Sequence, residues 1–159
     1  MPYHADLIAY VFAKRGIKED NPVTQMKLQK MVYFAHGYHL AIYGKPLIEE
    51  EFEAWKFGPV IPSIYHAYKL YGSEPITDLF LISNGSELEE KSLSLSETAK
   101  EAIDYTWEAT KNVSANMLSA WSHKVGSPWA DAFKPNVNFI PIRNDRIGKY
   151  FTGILANNG

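Results

Sequence analysis

The chain has 159 residues, 46% of them hydrophobic and 14% aromatic, with 21% charged and a formal net charge of −2. Such a length suits one domain, residues 1–159, that buries roughly 70% of its unfolded surface, and the charge balance lacks the basic excess of a dedicated nucleic-acid binder. The absence of cysteine excludes disulfides, thiolate zinc sites and cysteine nucleophiles. The apolar runs fall far short of the ~20 residues of a bilayer span, and Met1-Pro2-Tyr3-His4 does not open a signal peptide, so a cytoplasmic protein without a membrane or nucleic-acid partner is expected.

Leu7, Ile8, Val11 and Phe12 predict a first helix over Ala5 to Arg15, ended by Gly16. Asn21-Pro22 breaks the chain, and Thr24 can cap a second helix. That helix is apolar on two sides: Leu28, Met31, Val32, Ala35, His39 and Ile42 share one arc, and Met26, Tyr33, Gly37 and Leu40 lie roughly opposite. A helix buried on both sides is a core organiser. Gly37 within it costs about 1 kcal/mol relative to Ala, which predicts a neighbour packed closely there. Gly44-Lys45-Pro46 stops the helix.

Glu51 to Phe57 reads as a strand with Phe52 and Ala54 on one face, and Gly58-Pro59 as the turn from that strand into a helix that begins at Pro62 and runs through Tyr65, Tyr68 and Tyr71 to Gly72. Leu79 to Ile82 is a second strand candidate and Leu88 to Leu93 its possible partner, across Ser83-Asn84-Gly85-Ser86. Ser94-Leu95-Ser96-Glu97 resembles a capping box before a helix with Ala99, Ile103, Trp107 and Thr110 along one side. Ser114 can cap the next helix, with Leu118, Trp121 and Val125 as its stripe. A short helical piece follows Gly126-Ser127-Pro128-Trp129, Pro135 to Pro141 is a connector, and Asn144 caps a last helix carrying Ile147, Tyr150, Phe151, Ile154 and Leu155. The fold class is therefore mainly α with a small β-sheet (α+β): a central helix surrounded by other helices, with two or three short antiparallel strands at one side.

Candidate chemistry is sparse. His36 and His39 stand three apart on one helix, but no Asp or Glu lies near them to complete a metal site, and His39 reads as a hydrogen-bonded core residue. Glu49-Glu50-Glu51 with Glu53 and Lys56 invites a nuclease reading. That chemistry wants a carboxylate and a lysine on one strand face, whereas Glu53 and Lys56 point to opposite faces and Trp55 is the residue beside Glu53; a solvated acidic edge is the plainer account. Ser122 and His123 are adjacent and diverge by about 100° on a helix, so they do not pair as nucleophile and base. No phosphate loop, Gly-x-Ser-x-Gly elbow or His-Glu-x-x-His motif is present. No catalytic residue, metal or cofactor is assigned. Lys27 and Lys30 read first as a solvated helix edge, although Lys27, beside Phe34 and Tyr38, can snorkel along aromatic surface toward an acidic partner or an internal carboxylate. Tyr65, Tyr68 and Tyr71 suit an interface or a core equally well.

Lys27-Leu28-Gln29-Lys30, Tyr33, Tyr38-His39-Leu40, Gly44, Pro46-Leu47 and Glu53-Ala54-Trp55-Lys56-Phe57-Gly58-Pro59-Val60, followed by Leu118, His123, Pro128-Trp129 and Tyr150-Phe151, resemble the Panacea domain family, also described as SocA-like antitoxins or phage-associated GepA-like proteins. The family often has a threonine before the histidine, where this chain has Ser122. The resemblance implies an antitoxin of a bacterial or phage toxin–antitoxin pair, neutralising a protein toxin by direct binding, in some members as an adaptor to a cellular protease. It makes Lys27, Lys30, Tyr33, Tyr38, Trp55, Lys56, Phe57, Gly58, Pro59, His123, Pro128 and Trp129 the candidate partner-binding or motif residues. The alternatives are a hydrolase or nuclease near His123 or Glu49–Glu53, another phage-associated binding protein, or a DNA-binding regulator, which the charge balance disfavours.

Overall fold

A computed structural model describes residues 2–137 and 139–158, with side chains to residue 156. The described residues form eight α-helices and a small three-stranded antiparallel sheet. The sequence patterns account for most of them. Thr24 Oγ1 accepts the amide of Lys27 and so caps α2 (Gln25–Tyr43), which ends at Gly44 with φ +68°. Gly44 is left-handed there, a conformation glycine adopts without strain. Ser114 caps α6 (Ala115–Ser122) and Ser127 caps α7 (Pro128–Ala132) in the same manner as Thr24.

Helix α2 is the spine. Leu28, Met31, Val32 and Ala35 are buried on one side, and Tyr33 and Gly37 on the other. It packs against α1 (Ala5–Lys18), α5 (Glu97–Thr110), α6 and α8 (Asn144–Asn158). A β-carbon on Gly37 would lie 2.3 Å from Cδ2 of Phe151, so the expected close neighbour is the last helix. Ile42, by contrast, is exposed in the last turn of the spine.

The sheet is built differently from expectation. β1 (Phe52–Trp55) pairs antiparallel with β2 (Gly58–Val60), placing Trp55 opposite Gly58, and with β3 (Pro141–Ile142), placing Phe52 opposite Ile142. Gly58-Pro59 is thus a strand, not the turn into α3 (Pro62–Tyr68); the turn is Lys56-Phe57. Phe52 and Ala54 are buried as the alternation required. Leu79 to Ile82 forms no strand: Asp78 Oδ1 takes the amide of Phe80, and the amide of Ile82 turns back to Leu79. Leu88 to Leu93 falls within or just beyond the helix α4 (Gly85–Ser92), steadied by a Glu87–Lys91 pair at 2.7 Å one turn apart.

Three smaller differences share one cause, namely that helix ends are set by caps and packing. Gly16 does not end α1, which continues to Lys18 with Gly16 buried against Asn21 and Pro22. Ser96, not Ser94, caps α5, through the amide of Ala99. Val125 lies beyond the end of α6, outside its stripe and fully exposed. No described helix is long and apolar enough to cross a membrane.

Candidate functional site

The motif residues gather around one buried lysine. Lys30 is only 1% exposed, and its Nζ donates to the carbonyl of Pro59 at 3.3 Å. No ion pair reaches it among the described residues. Burial lowers its pKa to about 7, because a charge without a counter-charge in a dry interior favours the neutral amine. The solvated-edge reading of Lys30 is therefore overturned: the β1–β2 hairpin folds over it. Gly58 makes this closure possible. Its φ is +120°, and a β-carbon there would stand 2.6 Å from Lys30 Cε and 2.9 Å from Ser122 Oγ.

Gln29, next to Lys30, clasps the end of the hairpin. Its Nε2 donates to the carbonyl of Ile61 at 3.0 Å, while its Oε1 accepts the amide of Ile61 at 2.9 Å. The amide of a fully buried residue is thereby satisfied, and its carbonyl, which also accepts the amides of Ile64 and Tyr65, is bound a further time. From the other side, Ser119 Oγ donates to the carbonyl of Phe57 at 2.7 Å, and Trp129 Nε1 to that of Trp55 at 2.6 Å. His123 stacks on Trp129 with ring centroids 3.6 Å apart and planes 7° from parallel. Its buried Nε2 has no partner among the described residues. Burial lowers the His123 pKa, and the positive charge of Lys30 lowers it further.

The remaining candidates lie on the surface of this knot or away from it. Phe57 is 60% exposed at the hairpin tip, with the Lys56 ammonium 5.4 Å from its ring centre. Trp55 is half-buried, donates to Glu53 at 2.9 Å and packs on Tyr65, so the expected same-face pair of Glu53 and Trp55 exists. Pro59 and Pro128 are buried. Lys27 finds neither a solvated edge nor a carboxylate. Its Nζ donates to the carbonyl of Lys111 at 2.7 Å, where α5 ends, a favourable place for a cation. Tyr38 donates to Glu101 at 3.0 Å and stacks on Tyr105.

The histidines of the spine are structural. His39 Nδ1 donates to the Lys45 carbonyl at 2.6 Å, and its Nε2 accepts from Thr98 at 3.0 Å, as expected of a core histidine. His36 is fully buried: Nε2 donates to Asn144 Oδ1 at 2.8 Å, and Nδ1 faces the amides of Leu47 and Ile48. Asn144 is thus not the cap of α8 but its first residue, the carbonyl of Arg143 accepting the first helical amides, and its side chain serves the spine. Among the described residues no three His, Asp or Glu side chains cluster as a metal site would require. Of the acidic run, Glu50 caps α1 through the amide of Ala5 at 2.8 Å and Glu49 pairs with His4 at 2.9 Å.

One feature lay beyond the sequence reading. Helices α2, α5, α6 and α8 enclose a half-open groove of about 390 Å³, walled by Tyr33, Tyr38, Tyr105, Trp121, Tyr150 and Phe151. Its residues carry helical periodicity and read as core; only their assembly reveals a recess. Tyr33 lies there with its hydroxyl buried and without a partner among the described residues.

Residues 28–130 match the family model described as Antitoxin SocA-like, Panacea domain. The chain belongs to this family. It is 34% identical over 128 residues to Antitoxin SocA of Caulobacter vibrioides (strain NA1000 / CB15N), an alignment that covers 79% of this chain and 68% of the relative. No solved structure matches it. The span matched by the SocA-like family model takes in Lys30, the hairpin, His123 and Trp129, all the parts of the knot. In this member of the Panacea family the motif is foremost the means by which a hairpin is locked onto the spine.

Proposed function

We propose that this chain is an antitoxin that neutralises a protein toxin by binding it directly, without catalysis of its own. The observation that carries the reading is its likeness to Antitoxin SocA over most of its length. The geometry agrees with it. Lys30 is packed beneath a hairpin and His123 against Trp129, and neither of these two motif groups with chemical potential lines the aromatic groove. Meanwhile the aromatic groove and the hairpin tip offer apolar surface of the sort that protein interfaces use.

The test is co-expression with the product of the neighbouring reading frame. Growth arrest by that product alone, relieved by this chain and accompanied by a stable complex on co-purification, is the expected result. A toxin level that stays constant in the protected cells marks occlusion, and one that falls unless a protease is deleted marks delivery for degradation. Absence of both rescue and complex would overturn the proposal.

A further inference from the structure

The aromatic groove adjoins a second recess: Tyr150 and Ile154 on α8 wall both the 390 Å³ groove and a trough of about 370 Å³ on the neighbouring face of the helix. The lining of the first is mainly apolar and aromatic, a setting in which a bound apolar group gains about 25 cal/mol per Å² removed from water. The charges of the two recesses are one-sided. Lys124 lines the first, Arg146 and Lys149 the second, and no carboxylate lines either. Arg146 is paired with Asp131, while Lys124 and Lys149 have no ion pair among the described residues. A local excess of cations on a chain of net charge −2 selects an anionic occupant.

We infer that this groove is the toxin-docking surface, and that its occupant is a segment of the toxin carrying a large apolar or aromatic side chain beside acidic residues. This rests on the antitoxin reading above and assigns it a surface. The aromatic anchor fills the recess between α5 and α8, and the acids meet Lys124 and Lys149, the mode in which helical grooves capture amphipathic segments.

Anilinonaphthalene sulfonate, an aromatic anion, probes the groove without any toxin. It binds the native protein saturably at one site. Ala109→Trp fills the groove from an exposed position on its lining and abolishes this binding; Lys124→Glu weakens it about tenfold, the scale of one interface anchor. Lys69→Glu, at an exposed position outside both recesses, leaves it unchanged. Unaltered thermal melting shows that the variants fold. Dye binding that survives Ala109→Trp overturns the groove as a site. With the neighbouring gene product, wild type and Lys69→Glu co-purify with it and protect, whereas Ala109→Trp and Lys124→Glu do not. Full protection by Ala109→Trp overturns the docking inference and leaves the antitoxin reading intact. A product that wild type neither binds nor neutralises overturns both.

Discussion

The ring of Phe151 occupies the space that any side chain on Gly37 would need, with three of its carbons within 2.6 Å of where a β-carbon would sit. Gly37→Ala gains about 1 kcal/mol in helix propensity but forces apart the contact between α2 and α8. Overpacking of this kind costs typically 1–3 kcal/mol, so a net loss of stability is expected in urea denaturation. Gly37→Ala with Phe151→Leu should lose less than the two single changes added together. A midpoint raised by the full propensity gain would show that the helices do not meet there.

Gln29→Leu keeps the size of the side chain and removes both of its bonds to Ile61. It leaves the buried amide of Ile61 unpaired, at about 1–3 kcal/mol, while the carbonyl keeps the amides of Ile64 and Tyr65. The hairpin is expected to loosen before the rest of the fold. Hydrogen exchange should rise at Ile61 and across β2 while α5 stays protected. Equal acceleration everywhere would indicate that Gln29 supports the core as a whole.

Lys30 makes a prediction with a definite sign. Its pKa is about 7 in the folded chain against an ordinary 10.5. Between those values the unfolded chain holds a proton that the folded one has released, so stability rises with pH across that window. Buried Tyr33 and Tyr68, whose pKa values are raised by burial, oppose this once unfolded tyrosines ionise near 10, so the slope is read between about pH 7 and 9. Lys30→Met should flatten the slope and be neutral or stabilising at pH 7, because a buried amine that folding strips of much of its charge is replaced by apolar volume. A slope that persists in Lys30→Met would assign it elsewhere.

His36 acts at the acid end. Burial lowers its pKa to about 4 from 6.5. The bonds to Asn144 on one nitrogen and to two backbone amides on the other suit only the neutral ring. As pH falls from 6.5 toward 4 the unfolded chain takes up a proton that the folded chain refuses, and stability drops, by about 3 kcal/mol in all from this residue. His36→Gln should remove that part of the acid loss, seen as a shallower fall in melting temperature over the same range. An identical acid profile would sink the assignment.

Much of the architecture was written in local signals. Thr24, Gly44 and Ser114 announced helix ends that depend on the few residues beside them, and the two apolar arcs of α2 announced a spine. The strands were harder, because a strand is defined by a partner that the local pattern does not name. Leu88 to Leu93 had apolar ends and no internal sign that Glu87 and Lys91 would pair on a helix. Pro141-Ile142 is too short to register as a strand until Phe52 is opposite it. The site shows the same division. The motif block from Trp55 to Val60 could be read, but the burial of Lys30 is a property of the hairpin lying over it. The groove belongs to four helices at once, so no single segment discloses it.

The register of β1 also has a bearing on how the chain is made. Phe52 finds its strand partner only when Ile142 arrives, and Gly37 waits still longer for Phe151. During synthesis the hairpin therefore stands with an open edge, and one flank of the spine stays wet. Ribosome-arrested chains stopped before Ile142 are expected to be cut rapidly in the region of the hairpin, and those extended past α8 to resist. A nascent antitoxin that is vulnerable until its final helix docks would be removed quickly whenever translation falters.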